Sequence, residues 1–368
     1  MELKRVVVTG LGCINPLGNT VEETWENIVA GKSGAAPITK FDASAFKTQF
    51  ACEIKNFNPA DYIDRKEARK MDAYCQYSVA AAAQAIDDSG LDLEKVDKDR
   101  VGVIMGVGIG GMRTFEDEIV NWGVNGPTMG PKFNPFFIPK MIGDIACGHI
   151  SIRYGFRGPN YITASACASS TNALADAFNL IRLGKADIIV GGGAEAAIAA
   201  CGVGGCNAMH ALSTRNDEPE KASRPFSASR DGFVMAEGAS MLILEELEHA
   251  KARGAKIYAE VTGYGNTCDA YHYTAPKPDG VPASKAIKLA LEESNFDASK
   301  DLLYINAHGT GTPLNDKGET AAFKLALGEE AARKAHISSS KSMLGHCLGA
   351  AGASELIVSA LTLKNGII

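Results

Sequence analysis

One thiol and two imidazoles stand out in this 368-residue chain as groups that could do covalent chemistry. Cys167 sits in Ala164-Ser165-Ala166-Cys167-Ala168-Ser169, between the strand-like Tyr161-Ile162-Thr163 and a stretch where Leu174, Phe178 and Ile181 recur at helical spacing before Gly184. That order predicts a thiol at a strand-to-helix junction, where the helix dipole favours thiolate and backbone N–H groups face whatever the sulfur attacks. The competing reading is a buried, inert cysteine in a small-residue helix. His308 follows the buried-strand pattern Leu302-Leu303-Tyr304-Ile305-Asn306 and precedes Gly309-Thr310-Gly311-Thr312. His346 follows Ser338 to Gly345 and precedes the small residues Gly349-Ala350-Ala351-Gly352-Ala353. Isolated histidines are usually structural, but two of the seven in this chain each lie at a strand exit among glycines, which points to function.

The elements that would position them alternate. Strand patterns at 5–10, 101–106, 186–195, 232–244, 256–265, 302–306 and 336–340 are separated by helical periodicities, among them the Thr20–Glu23 capping box and an alanine-rich helix ending near Ser89. Further helices are expected near 139–154, 245–253, 282–294, 316–327 and 346–364. This is an α/β chain with buried sheets, in two comparable halves, 1–255 and 256–368. Residues 33–64 read as irregular, and so does 114–140 with Pro127, Pro131, Pro135 and Pro139. Gly10-x-Gly12 and Gly106-x-Gly108-x-x-Gly111 resemble nucleotide-binding patterns. Asn15 replaces the third glycine of the first and no acidic residue follows the second at the proper distance, so close backbone packing is the expected use.

The net charge of −6 argues against general nucleic-acid binding, and no apolar run is long enough to span a bilayer. The chain enters a strand at Arg5, which leaves no room for a signal peptide. Nine scattered cysteines without a CxxC pair suggest reduced thiols in a cytoplasmic protein and no metal site. The basic run from Arg65 to Lys70 is either a solvated helical face or a docking patch.

Several motifs, in order, resemble one family: Ala164-Ser-Ala-Cys167-Ala-Ser, Ala194-Glu195, Ala211-Leu-Ser-Thr-Arg-Asn-Asp217, Arg230-Asp-Gly-Phe-Val234, Asn306-Ala-His308-Gly-Thr-Gly-Thr312 and Lys341-Ser-Met-Leu-Gly-His346. They are similar to those of the thiolase superfamily, and within it to the elongating β-ketoacyl–acyl carrier protein synthases of type II fatty acid synthesis. The resemblance implies a thiolase-like fold of two similar halves in α/β/α/β/α layers. It implies a catalytic triad of Cys167, His308 and His346, with Lys341 and Glu319 as a supporting charged pair. Cys167 would carry the acyl chain as a thioester, and the two imidazoles would donate N–H to the enolate formed as a malonyl thioester loses CO₂. Thr310 and Thr312 would bind pantetheine, Ile109 would line the acyl pocket, and Lys66, Arg69 and Lys70 would dock an acidic carrier protein. No resident cofactor is implied, because phosphopantetheine arrives on the carrier protein; a homodimer is.

Members of the family continue past the last helix with more strands and a Gly-Phe-Gly-Gly loop that supplies an oxyanion N–H. The second half is therefore expected to lack its closing strands, and the chain as given to turn over poorly. Polyketide ketosynthases and degradative thiolases share the fold, the latter with a second catalytic cysteine. A silent paralogue would normally have lost Cys167. A nicotinamide oxidoreductase would rest only on the glycine patterns, and a cysteine hydrolase lacks glycines flanking the nucleophile.

Overall fold

Val6-Val7-Val8 and Ile188-Ile189-Val190 carry apolar side chains on both faces of an extended backbone, so neither run can lie at a surface. In the computed structural model, which describes residues 3–297 and 300–368, both become central strands with every residue buried. The strands in chain order are β1 (Val6–Ile14), β2 (Ala36–Pro37), β3 (Phe50–Ala51), β4 (Val101–Gly106), β5 (Asn160–Thr163), β6 (Ile188–Glu195), β7 (Gly238–Glu246), β8 (Ala259–Val261), β9 (Tyr304–Asn306) and β10 (His336–Ser338).

The main sheet has the order β5-β4-β6-β7-β1-β8. It is mixed: β4 runs parallel to β5 and β6, while β7 is antiparallel to β6 and β1, and β8 antiparallel to β1. Beyond residue 255, β8 thus adds an edge strand to the sheet built by the first half. One face is covered by the Ala73–Asp88 helix, whose Tyr74, Val79 and Ile86 pack with Met105, Val190 and Ile243. The other is covered by the Ser169–Arg182 and Ala351–Asn365 helices, which bring Leu174, Ile181 and Ile357 onto Ile104, Ile189 and Leu244. Glycine lets helix and strand touch: a Cβ at Gly12 would fall 2.1 Å from the Ala81 carbonyl oxygen. A second, parallel pair joins β9 to β10.

Several expectations change: the strand expected at 256–265 shrinks to Ala259–Val261, and the helix expected near 139–154 divides into Phe137–Met141 and Ile145–Tyr154. Residues 112–129 form a helix (Met112–Met129), because Phe115, Ile119 and Trp122 recur at helical spacing, while Pro131 and Pro135 fall in the connection after it. Aromatic contacts of Phe133 with Trp122 and Phe137, at 5.8 and 5.7 Å, fold that connection back onto the helix. The expected 232–244 strand begins only at Gly238. Before it, Phe233, Met235 and Ala236 make isolated bridges to Leu212, His346 and Cys52, so this stretch serves the site rather than the sheet.

Candidate active site

The thiol is placed by a sharp elbow. Strand β5 ends at Thr163, Ala166 takes a left-handed φ of 50°, and the helix starts at Ser169. A non-glycine residue in that region is strained and persists only where its surroundings hold it. Here hydroxyls do so: Thr163 donates to the Ser169 carbonyl (2.6 Å), Ser169 Oγ donates to the Ala166 carbonyl (2.7 Å), and the Ser165 N–H donates to Ser169 Oγ (2.9 Å). The serines and alanines around Cys167 are small because β4 lies against the helix start; a Cβ at Gly106 would fall 2.0 Å from Ser170 N.

His308 leaves β9 on a loop whose turns need glycine, with φ 39° at Gly309 and 80° at Gly311. Glu319, on the Pro313–Leu327 helix, accepts the N–H groups of His308 (2.6 Å) and Gly309 (2.8 Å). Asp316, one turn earlier, accepts Gly311 N–H (3.2 Å) and Phe226 N–H (2.6 Å) and pairs with Arg230. The His346 main chain is tied to Val234 and Ala236, and the Phe233 ring meets its imidazole edge-on at 5.1 Å.

These separate devices converge. His346 Nε2 lies 3.0 Å from Cys167 Sγ, and the two imidazole centroids are 5.2 Å apart at 87°. The protonation of each ring follows from its other nitrogen. Leu348 N–H donates to His346 Nδ1 (3.2 Å), so the proton of a neutral ring sits on Nε2, facing the sulfur. Lys341 Nζ lies 3.3 Å from His308 Nδ1, and an ammonium can only donate, so His308 also carries its proton on Nε2. Burial and the Lys341 charge hold both imidazoles well below the usual histidine range, which keeps them neutral. Burial pushes the Cys167 thiol up, with Lys341 opposing, so the expected thiolate-favouring effect of the helix terminus is outweighed. One ligand atom each from Cys167, His308 and His346 lies within 4.8 Å of the others, close enough to meet one small centre. The adjacent ammonium opposes a dication there.

The expected Lys341–Glu319 pair is corrected. Lys341, 2% exposed, is hydrogen-bonded and ion-paired to Glu355, on the Ala351–Asn365 helix, whereas Glu319 accepts from the His308 and Gly309 N–H groups and the Asn315 amide and meets Lys341 only through its field. Sequence reasoning missed Glu355, although it is the only acidic residue in the otherwise apolar and small stretch from Gly345 to Leu363. Phe233 lay inside the Arg230–Val234 motif without a role assigned to it, and the Leu348 N–H was missed, since the sequence carries no signal for a backbone donor. Thr310 and Thr312 lie on the His308 loop with their hydroxyls 2.9 Å apart. Ile109 stands 47% exposed on the loop leaving β4. Lys66 and Arg69 are exposed on or just after the short Arg65–Ala68 helix, while Lys70 pairs with Glu67 and lies over the Phe136 ring.

Comparison with known proteins gives the family of the chain as a whole. Residues 3–250 match the beta-ketoacyl synthase N-terminal domain and residues 258–368 the C-terminal domain of the same family. The 3-oxoacyl-[acyl-carrier-protein] synthase 2 of Staphylococcus aureus (strain COL) is 48% identical over 362 residues, covering 98% of this chain and 86% of that protein. Its namesake from Synechocystis sp. is 48% identical over 363 residues, 99% and 86% of the two chains. A type II PKS ketosynthase solved with its acyl-carrier protein superposes with a TM-score of 0.89 at 34% identity, covering 99% of this chain and 87% of that one. The fold is the thiolase-like ketosynthase fold, and the chain belongs to the beta-ketoacyl synthase family.

Proposed function

We propose that this chain condenses an acyl group held on Cys167 with a malonyl group carried by acyl carrier protein, giving a 3-oxoacyl product in fatty acid elongation. The observation that carries the reading is the convergence of two imidazoles on one thiol, with a donor at each Nδ1 that leaves the proton of a neutral ring on Nε2. In the first half-reaction Cys167 Sγ attacks the acyl thioester carbonyl. The acyl–sulfur bond to the carrier breaks, and the departing pantetheine sulfur takes the proton that the Cys167 thiol gives up. In the second half-reaction the malonyl thioester loses CO₂, leaving an enolate whose oxygen receives hydrogen bonds from His308 and His346. Its α-carbon attacks the acyl carbonyl on Cys167, the carbon–sulfur bond breaks, and the departing Cys167 thiolate takes a proton from solvent water. A neutral N–H suits this role, because it stabilises the enolate without protonating it.

Lys341 and Glu355 set the charge behind His308, and Glu319 fixes its backbone. In this reading Thr310 and Thr312 hold pantetheine, and Ile109 meets the acyl chain. Lys66 and Arg69 offer the charge an acidic carrier protein needs. No resident cofactor is required, since the acyl groups travel on the carrier. A homodimer and a cytoplasmic location complete the proposal. The first is supported by exposed Phe115, Val120 and Val124 along one helix, the second by nine cysteines that are all free and by the absence, among the described residues, of a helix long and apolar enough to cross a membrane. The higher identity to the 3-oxoacyl-[acyl-carrier-protein] synthases, 48% against 34% for the polyketide ketosynthase, favours elongation over polyketide synthesis.

The test is intact-mass analysis after incubation with acyl–acyl carrier protein. Wild type gains one acyl mass and Cys167→Ala gains none; an acyl adduct on Cys167→Ala would reject the assignment.

A further inference from the structure

Glu195 ends β6 fully buried, and among the described residues it has no ion-pair partner. Its carboxylate instead collects backbone N–H groups from two separate segments. Oε2 accepts from Gly108 (3.0 Å) and Gly349 (3.2 Å), and Oε1 accepts from Ile109 (3.2 Å) and Gly110 (3.3 Å). Successive N–H groups turned inward make an anion-binding concavity, and here a protein carboxylate fills it. The fit leaves no slack: a Cβ at Gly349 would meet Gly108 N at 2.4 Å and Glu195 Oε2 at 2.8 Å. Burial outweighs the lowering by these hydrogen bonds and leaves the carboxyl raised to about 7.

What the two segments carry gives the contact its meaning. The first presents Ile109. The second is the Leu348–Ala350 turn, entered through Leu348 at a left-handed φ of 47°, and the Leu348 N–H orients the His346 ring toward Cys167. We propose that Glu195 is a positioning residue that ties the Ile109 loop to the turn behind His346, so that acyl-chain selectivity and the aim of the imidazole at Cys167 are set together. The selectivity half rests on the condensing function proposed above, whereas the tie itself does not.

Hydrogen exchange with mass spectrometry on Glu195→Gln tests the tie. A glutamine amide offers one acceptor oxygen and turns N–H groups toward the rest, so amides at 108–110 and at 349 should both exchange about tenfold faster, with β1 unchanged. Faster exchange in one segment only, or a uniform rise across the sheet, overturns the proposal. Gly349→Ala gives a second route should Glu195→Gln not fold, because it pries the turn from the loop with Glu195 intact, and it should give the same paired rise. Uptake of long against short acyl chains onto Cys167 then tests the consequence. Glu195→Gln should shift that ratio, and the shift should vanish in an Ile109→Ala background. An equal loss at all chain lengths marks a merely structural role and overturns it. A wild-type protein that takes up no acyl group at all would fell the condensing reading and leave the exchange result to decide the tie.

Discussion

A neutral imidazole donates only through the nitrogen that holds its proton, and this site fixes that nitrogen twice by different means. For His346 the means is a backbone N–H and for His308 an ammonium, so the two should respond differently to mutation. ¹⁵N-histidine spectra should show both rings still neutral and protonated at Nε2 at the pH where an ordinary histidine is half protonated. Lys341→Met should unfix the His308 tautomer and leave that of His346. In a malonyl–acyl carrier protein decarboxylation assay, His308→Ala and His346→Ala should each lose about 10²–10³ in rate, the usual cost of one donor to a developing oxyanion. Lys341→Met also strands Glu355, whose carboxyl is already pushed up by burial. Breaking a buried pair from one side costs about 3–5 kcal/mol. The double variant Lys341→Met/Glu355→Gln should recover much of that in urea unfolding, because no buried charge is left alone.

At the scale of elements, each of the three groups sits where a chain leaves regular structure, and in each case a close approach or a left-handed turn defines the spot. The elbow at Ala166 depends on the Ser169–Arg182 helix lying directly on β4. Gly106→Ala would put a Cβ 2.0 Å from backbone that no rotamer can move aside. It should therefore cost about 1–3 kcal/mol or more in stability and reduce acylation of Cys167 by shifting the elbow. Gly31→Ala, with nothing within 4 Å, carries only the cost of its positive φ and is the matched control. Unchanged acylation in Gly106→Ala would separate the elbow from that packing. The Phe115–Phe137 region shows the reverse case: prolines suggested irregular chain, and aromatic packing made it helical.

Across the whole molecule, charge buried in the sheet links elements that are distant in sequence. Glu245 on β7 is fully buried and accepts from Thr9 of β1 (2.8 Å), from Arg253 through both oxygens, and from His249. Arg253 in turn donates to the Ser89 carbonyl below the Ala73–Asp88 helix. Burial pushes the Glu245 carboxyl up, but the hydrogen bonds from Arg253, His249 and Thr9 together outweigh it and hold it below its ordinary value. A carboxylate lowered on folding stabilises fully above its unfolded pKa, and that contribution fades as pH falls through the folded one. Glu245→Gln should thus lower stability by about 2 kcal/mol at pH 7, with the gap to wild type closing below pH ~4.5; a gap that stays constant to pH 3 would contradict this. By itself the sequence determined the α/β class, the buried strands and a strand-to-helix junction at Cys167, because apolar period, small residues and glycines are local signals. Cys167, His308 and His346 were legible as candidates one at a time. Only the tertiary structure decided that Lys341 pairs with Glu355 and not Glu319, that Leu348 turns the His346 ring, and that Glu195 joins two loops. Each of those depends on distances between segments that no local pattern encodes, and on backbone N–H groups that every residue but proline shares.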